Sequence, residues 1–247
     1  MRRTAVAVAL LLAVAASAAG AALGGRSSQP KLTVFAAASL TDVFPKIAPR
    51  DRYSFGGSNA LATQIEQGLP ADVFASANTK IPWQLHRMHL VTRPVNFTAN
   101  KLCIIVAKGN PLHIRANRTL ERSGLRIVMA AAGVPAGDYT RTVLAKLGMS
   151  DLVDKAISQE TDVREVLSKV VLGEADVGFV YATDAKTVAG QVGVVGLPER
   201  AQPTVVYAAA AVKASPHLKE AEAWIRQLLG GKAQRELRAA GFRPVPH

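Results

Sequence analysis

Short hydroxyl, amide and carboxylate residues recur just after apolar runs, where helices would begin. Ser39-Leu40-Thr41-Asp42 follows the apolar run 31–37, and Phe55-Gly56-Gly57-Ser58-Asn59 precedes an amphipathic stretch carrying Leu61 and Ile65. Gly133-Val134-Pro135-Ala136-Gly137-Asp138, Thr161-Asp162-Val163 and Tyr181-Ala182-Thr183-Asp184 repeat the arrangement. Such side chains accept from the unpaired N–H groups of a first helical turn, and adjacent glycines let a backbone approach its partner closely. A helix start also carries roughly half an elementary positive charge. Several of them converging on one point would hold an anion without any Lys or Arg touching it. Taken singly, each is an ordinary cap, with Ser39 and Asp42 serving the first helix.

Other chemistry finds less support. Gly56-Gly57-Ser58-Asn59-Ala60 approaches the G-x-S-x-G nucleophile elbow, but Ala60 stands where the second glycine belongs and none of the five histidines is an evident base. His86 and His89 are three apart on a predicted helix, with Arg87 between them and no carboxylate nearby, which reads as a solvated face rather than a metal site. His113, His217 and His247 stand alone. The single cysteine, Cys103, lies inside an apolar run as a small hydrophobe and excludes both an internal disulfide framework and a cysteine-based zinc finger. The expectation is a protein that is not an enzyme, with no cofactor and no metal held by side chains.

The elements that must position these residues alternate between short apolar runs and amphipathic segments, as in α/β architecture. Strands are expected at 31–37, 73–76, 102–107, 126–130, 177–181, 192–196 and 205–212. Helices are expected at 40–47, 60–67, 81–88, 139–147, 163–172, 182–189, 218–229 and 233–240. No repeat or long linker divides the chain, so two lobes would have to be joined by crossing strands, for which 102–107 and 205–212 are suited.

Composition alone points elsewhere. The 247 residues are 49% hydrophobic and carry 30 Lys plus Arg against 18 Asp plus Glu, a net +12 that invites a nucleic-acid reading. The N-terminus argues against it. Arg2 and Arg3 precede an uncharged run through Gly25, with small residues at Ala16-Ser17-Ala18 and Ala19-Gly20-Ala21, the pattern of a secretory signal peptide; retention as a membrane anchor is the alternative. Residues 1–25 are therefore expected to be a leader, and the remainder an exported protein, periplasmic or held at the cell surface, that does not act on nucleic acid.

Four sequence words then stand in order: 32–41 (Leu-Thr-Val-Phe-Ala-Ala-Ala-Ser-Leu-Thr), 64–77 (Gln-Ile-Glu-Gln-Gly-Leu-Pro-Ala-Asp-Val-Phe-Ala-Ser-Ala), Val134-Pro135-Ala136-Gly137, and 178–185 (Gly-Phe-Val-Tyr-Ala-Thr-Asp-Ala). In these the chain resembles the molybdate-binding proteins of bacterial ABC importers, a family of periplasmic solute-binding proteins, over residues from about Lys31 to Pro246.

The resemblance implies a two-lobed periplasmic-binding-protein fold (type II), each lobe a mixed sheet flanked by helices, with the ligand in the interlobe cleft. Residues 31–103 plus 206–247 would form one lobe and 104–205 the other. It also implies the donors: hydroxyl and N–H of Ser39, Ser58 in its glycine-rich neighbourhood, main-chain N–H of Ala136 and Val163, and the phenol of Tyr181. Ser39 and Ser58 would come from one lobe and the other three from its partner. Molybdate, with tungstate nearly its equal in size and charge, would be the ligand, delivered by a monomeric receptor to a membrane permease and its ATPase. Neutral donors suit a fully deprotonated anion, provided that neither Asp138 nor Asp162 enters the pocket. Rival ligands for the fold are sulfate, phosphate, or ferric iron through Tyr53, Tyr139, Tyr181 and Tyr207; an exported hydrolase, or the sensing domain of a transcription factor, lies further off.

Overall fold

The computed structural model describes residues 30–116 and 118–246; the expected leader at 1–25, and His247, lie outside the described residues. The strands are β1 (Thr33–Ala37), β2 (Arg52–Gly56), β3 (Val73–Ser76), β4 (Val95–Asn100), β5 (Leu102–Ala107), β6 (Ile127–Ala130), β7 (Ser158–Glu160), β8 (Val177–Tyr181), β9 (Val192–Gly196) and β10 (Val205–Ala211). They form two five-stranded sheets, ordered β2-β1-β3-β10-β4 and β7-β6-β8-β5-β9. Both are mixed. β1 runs parallel to β2 and β3 while β10 is antiparallel to β3 and β4; β6 runs parallel to β7 and β8 while β5 is antiparallel to β8 and β9. This is the expected α/β class with two mixed sheets.

The helices are α1 (Phe44–Ile47), α2 (Ser58–Glu66), α3 (Lys80–Arg87), α4 (Pro135–Lys146), α5 (Val163–Val171), α6 (Ala182–Thr187), α7 (Leu218–Leu228) and α8 (Gly231–Ala240). α7 buries Ala221, Trp224, Ile225 and Leu228, one stripe at helical spacing. It lies on β10, every residue of which is buried, as expected of a strand covered on both faces. One apolar cluster runs continuously through both sheets, and a smaller one, including Phe35, Leu61, Ile65 and Leu85, fills the space under α2 and α3. No helix among the described residues is long and apolar enough to cross a membrane.

Three departures from the sequence reading have physical causes. β2, β4 and β7 are additional strands; β7 and β2 are sheet edges, where a polar sequence such as Ser158-Gln159-Glu160 is tolerated because one side needs no cover. The helix expected at 40–47 is a tight turn at Ala38–Leu40 followed by the four-residue α1, in which Pro45 occupies the first turn. Proline is accepted there and would break a helix begun at Leu40. Finally, β5 and β10 each pair within a single sheet, so the chain crosses on the residues just before them, at Lys101 and within 197–204. Gln202 ties the two crossings: its Nε2 donates to the Leu102 carbonyl at 2.9 Å and its Oε1 accepts from the Leu102 N–H at 3.3 Å.

Candidate functional site

Between the sheets, α2 from one side and α4, α5 and α6 from the other begin around one cavity with an empty volume of ≈ 210 Å³. Its walls include Ser39, Gly57, Ser58 and Ala77 from the first lobe and Ala136, Asp162, Val163 and Tyr181 from the second. Ser39, Ser58, Ala136, Val163 and Tyr181 are thus brought to one place, and no Lys or Arg is among the lining residues. A wider hollow of ≈ 1100 Å³ on the outside of the first lobe carries both signs of charge, Arg50 and Lys219 against Asp51 and Glu220, and offers no comparable set of neutral donors.

Local chemistry explains what each of these residues offers the cavity. Ser58 opens α2, and its Oγ accepts from the Ala77 N–H at 3.1 Å, which leaves its proton to give. Ser39 lies inside the turn after β1 rather than capping a helix; its Oγ meets Tyr207 Oη at 2.8 Å. Pro135 takes the first position of α4 and has no N–H, so Ala136 supplies the first amide of that helix. At α5, Asp162 Oδ1 caps the N–H groups of Arg164 (2.7 Å) and Glu165 (3.1 Å), leaving Val163 as the amide of that turn not taken by the cap. Main-chain donors carry no side-chain signature, which is why residue chemistry alone passes over Ala136 and Val163.

Tyr181 is the most telling member. It ends β8, is 1% exposed, and its hydroxyl has no hydrogen-bond partner among the described residues. Burial raises its phenol far above the ordinary range, with the neighbouring Tyr207 and Tyr139 adding to the effect, so it stays a neutral donor. A buried, unpaired hydroxyl costs about 1–3 kcal/mol, and such an orphan on a cavity wall points to a ligand that satisfies it.

The two aspartates flagged in the sequence take different places. Asp138 lies outside the cavity, its Oδ1 accepting from the Gly133 N–H at 2.8 Å. Asp162 borders the cavity with Oδ1 committed to the α5 amides, and burial raises its pKa against the pull of those bonds. Asp42, expected to complement a helix start, instead crosses the cleft.

That crossing is an ion-pair chain invisible to local sequence. Arg164 on α5 reaches Asp42 Oδ2 of the first lobe through Nη2 (2.5 Å) and Asp184 Oδ1 of α6 through Nε (2.6 Å). Asp184 is fully buried, which pushes its pKa up to about 6 while Arg164 pulls it down, and it also accepts from the Tyr181 N–H at 3.3 Å. Asp42 is 49% exposed in its side chain, so its share of closure is modest. Asp42→Asn is expected to speed ligand dissociation by a few-fold, on the order of 0.2–1 kcal/mol, and the effect should shrink in high salt. Stopped-flow displacement at two ionic strengths checks both statements.

A family described as bacterial extracellular solute-binding protein matches residues 32–243. The molybdate-binding protein ModA of Mycobacterium tuberculosis is 37% identical over 238 residues, covering 92% of this chain and 88% of that protein. Among solved structures, the periplasmic molybdate-binding protein of Azotobacter vinelandii superposes with a TM-score of 0.77 at 24% identity, covering 88% of this chain and all of that one. The sulfate-binding protein SubI of M. tuberculosis reaches 0.75 at 21% identity, covering 87% of each chain, so the fold by itself does not choose the anion. On the family match and the identity to ModA together, the chain belongs to the bacterial extracellular solute-binding proteins and, within them, to the family of the molybdate-binding proteins.

Proposed function

We propose that this protein is the receptor of an ABC importer, capturing molybdate in the interlobe cleft and presenting it to a membrane permease driven by an ATPase. The observation that carries the reading is the buried hydroxyl of Tyr181, unpaired on the wall of a cavity onto which the starts of four helices also open. In this reading Ser39 and Ser58 donate from a lobe built on the first sheet, and Ala136, Val163 and Tyr181 from a lobe built on the second, the chain passing between them at Lys101 and within 197–204 rather than at 103 and 205. A dianion stripped of water needs a donor at every oxygen, and several hydrogen bonds to a charged ligand at about 1.5–3 kcal/mol each supply that without a counter-ion. Because the anion bridges both lobes, it favours the closed arrangement over an open one.

The receptor works outside the cytoplasm as a monomer, follows a leader at 1–25, and performs no reaction and needs no cofactor. Tungstate, matched to molybdate in charge and shape, binds as well. A thermal-shift panel of molybdate, tungstate, sulfate and phosphate tests the assignment, since a ligand stabilises by RT ln(1 + [L]/Kd). Molybdate and tungstate are expected to raise the midpoint at concentrations where sulfate and phosphate do not. An equal shift with sulfate would reassign the ligand, and no shift with any anion would remove the receptor reading.

A further inference from the structure

Ser39 Oγ lies 2.8 Å from Tyr207 Oη, and the direction of that hydrogen bond decides what the serine offers the cavity. Both residues are buried, so each hydroxyl proton needs an acceptor. On its other side Tyr207 Oη is reached by Asn100 Nδ2 at 3.4 Å. The orientation of that amide follows from its remaining bonds: Oδ1 accepts from the Lys101 N–H at 2.9 Å and Nδ2 donates to Thr183 Oγ1 at 2.8 Å. The group facing Tyr207 is therefore an NH2, which only donates. Tyr207 accepts from Asn100 and finds in Ser39 Oγ the acceptor for its own proton. The reverse direction would leave the phenol proton with no acceptor among these partners. Burial holds the Tyr207 phenol far above its ordinary range, so the proton is present throughout the physiological range.

We propose that Tyr207 is a positioning residue for the anion site: anchored by Asn100, it donates to Ser39 Oγ and so turns the Ser39 proton into the cavity as a fixed donor. The assignment rests on the receptor reading above. Accepting from Tyr207 uses one of the two lone pairs of Ser39 Oγ and removes the orientation in which the Ser39 proton points at Tyr207, so that proton is left to the cavity. Molybdate at neutral pH carries no proton, so each of its oxygens is an acceptor for such a donor.

Removing the phenol oxygen frees Ser39 to rotate. Tyr207→Phe is expected to weaken molybdate about fivefold. A double-mutant cycle supplies the readout that a packing role would not move. Ser39→Ala alone is expected to cost about tenfold in molybdate affinity, and adding Tyr207→Phe to it no more, because Tyr207 acts only through the serine. Titration calorimetry with molybdate on the four proteins measures the cycle. Additive losses would overturn the assignment of Tyr207 alone. A wild-type protein that binds no molybdate would overturn it together with the receptor reading.

Discussion

Gly57→Ala is expected to weaken molybdate binding ten- to hundredfold while leaving the unliganded protein folded and at least as stable as before. Gly57 has φ −61° and ψ 131°, extended backbone that alanine adopts freely, so conformational freedom is not what requires glycine here. Replacement should even restrict the unfolded chain slightly in favour of folding. The requirement comes from the opposite lobe. A β-carbon at Gly57 would stand 2.4 Å from the main-chain oxygen of Thr161 and 2.8 Å from Asn59 Oδ1. The Asn59 side chain can move away; the Thr161 carbonyl precedes the capped start of α5 and moves only with the second lobe. The closed arrangement must then part by a fraction of an ångström or more, and each donor on α5 and β8 retreats from those on α2. Overpacking of this kind costs about 1–3 kcal/mol, charged here to closure and hence to affinity. Calorimetric titration with molybdate, beside melting of the unliganded protein, separates the two quantities. Undiminished affinity would mean that the liganded lobes do not come this close at Gly57.

The α/β alternation was readable because the central strands are continuous apolar runs separated by amphipathic stripes, whereas the division into two mixed sheets came only with the likeness to a family. The edge strands β2 and β7 were not, since a short polar strand looks like a loop until its neighbour is known. Within the cleft, Ser39, Ser58 and Tyr181 have side chains whose chemistry marks them. Ala136 and Val163 have none, and only the likeness to a family singled them out. Yet their neighbours held a usable hint: a proline at the first position of α4 and an aspartate capping the two following amides of α5 each leave one particular N–H over. Gly57, Asn100, Tyr207 and the Asp42–Arg164–Asp184 chain act through contacts between residues far apart in sequence, 107 positions for Asn100 with Tyr207 and 122 for Asp42 with Arg164. No local pattern encodes such pairs. The +12 charge proved to be the least informative feature for the site, because no basic side chain lines the cavity.

Tyr181→Phe separates binding from folding by moving them in different directions. Its hydroxyl makes no hydrogen bond to the described protein, so the substitution removes none of the fold's own bonds and relieves a buried polar atom. The ring remains, and with it the edge-on contacts to Tyr207 at 5.9 Å and Tyr139 at 6.5 Å between centroids. Unliganded stability is therefore expected to hold or to rise. Affinity for molybdate is expected to fall ten- to hundredfold, the loss of one hydrogen bond to a charged ligand at about 1.5–3 kcal/mol. The loss should not vary between pH 6 and 8, because burial keeps the phenol protonated well beyond that range. Melting without ligand and titration with it, each at both ends of that pH range, give the two quantities independently. A variant that loses stability and affinity together would assign Tyr181 to packing between the lobes. One that keeps full affinity would place the anion out of reach of the phenol, and the orphaned hydroxyl would then need another explanation.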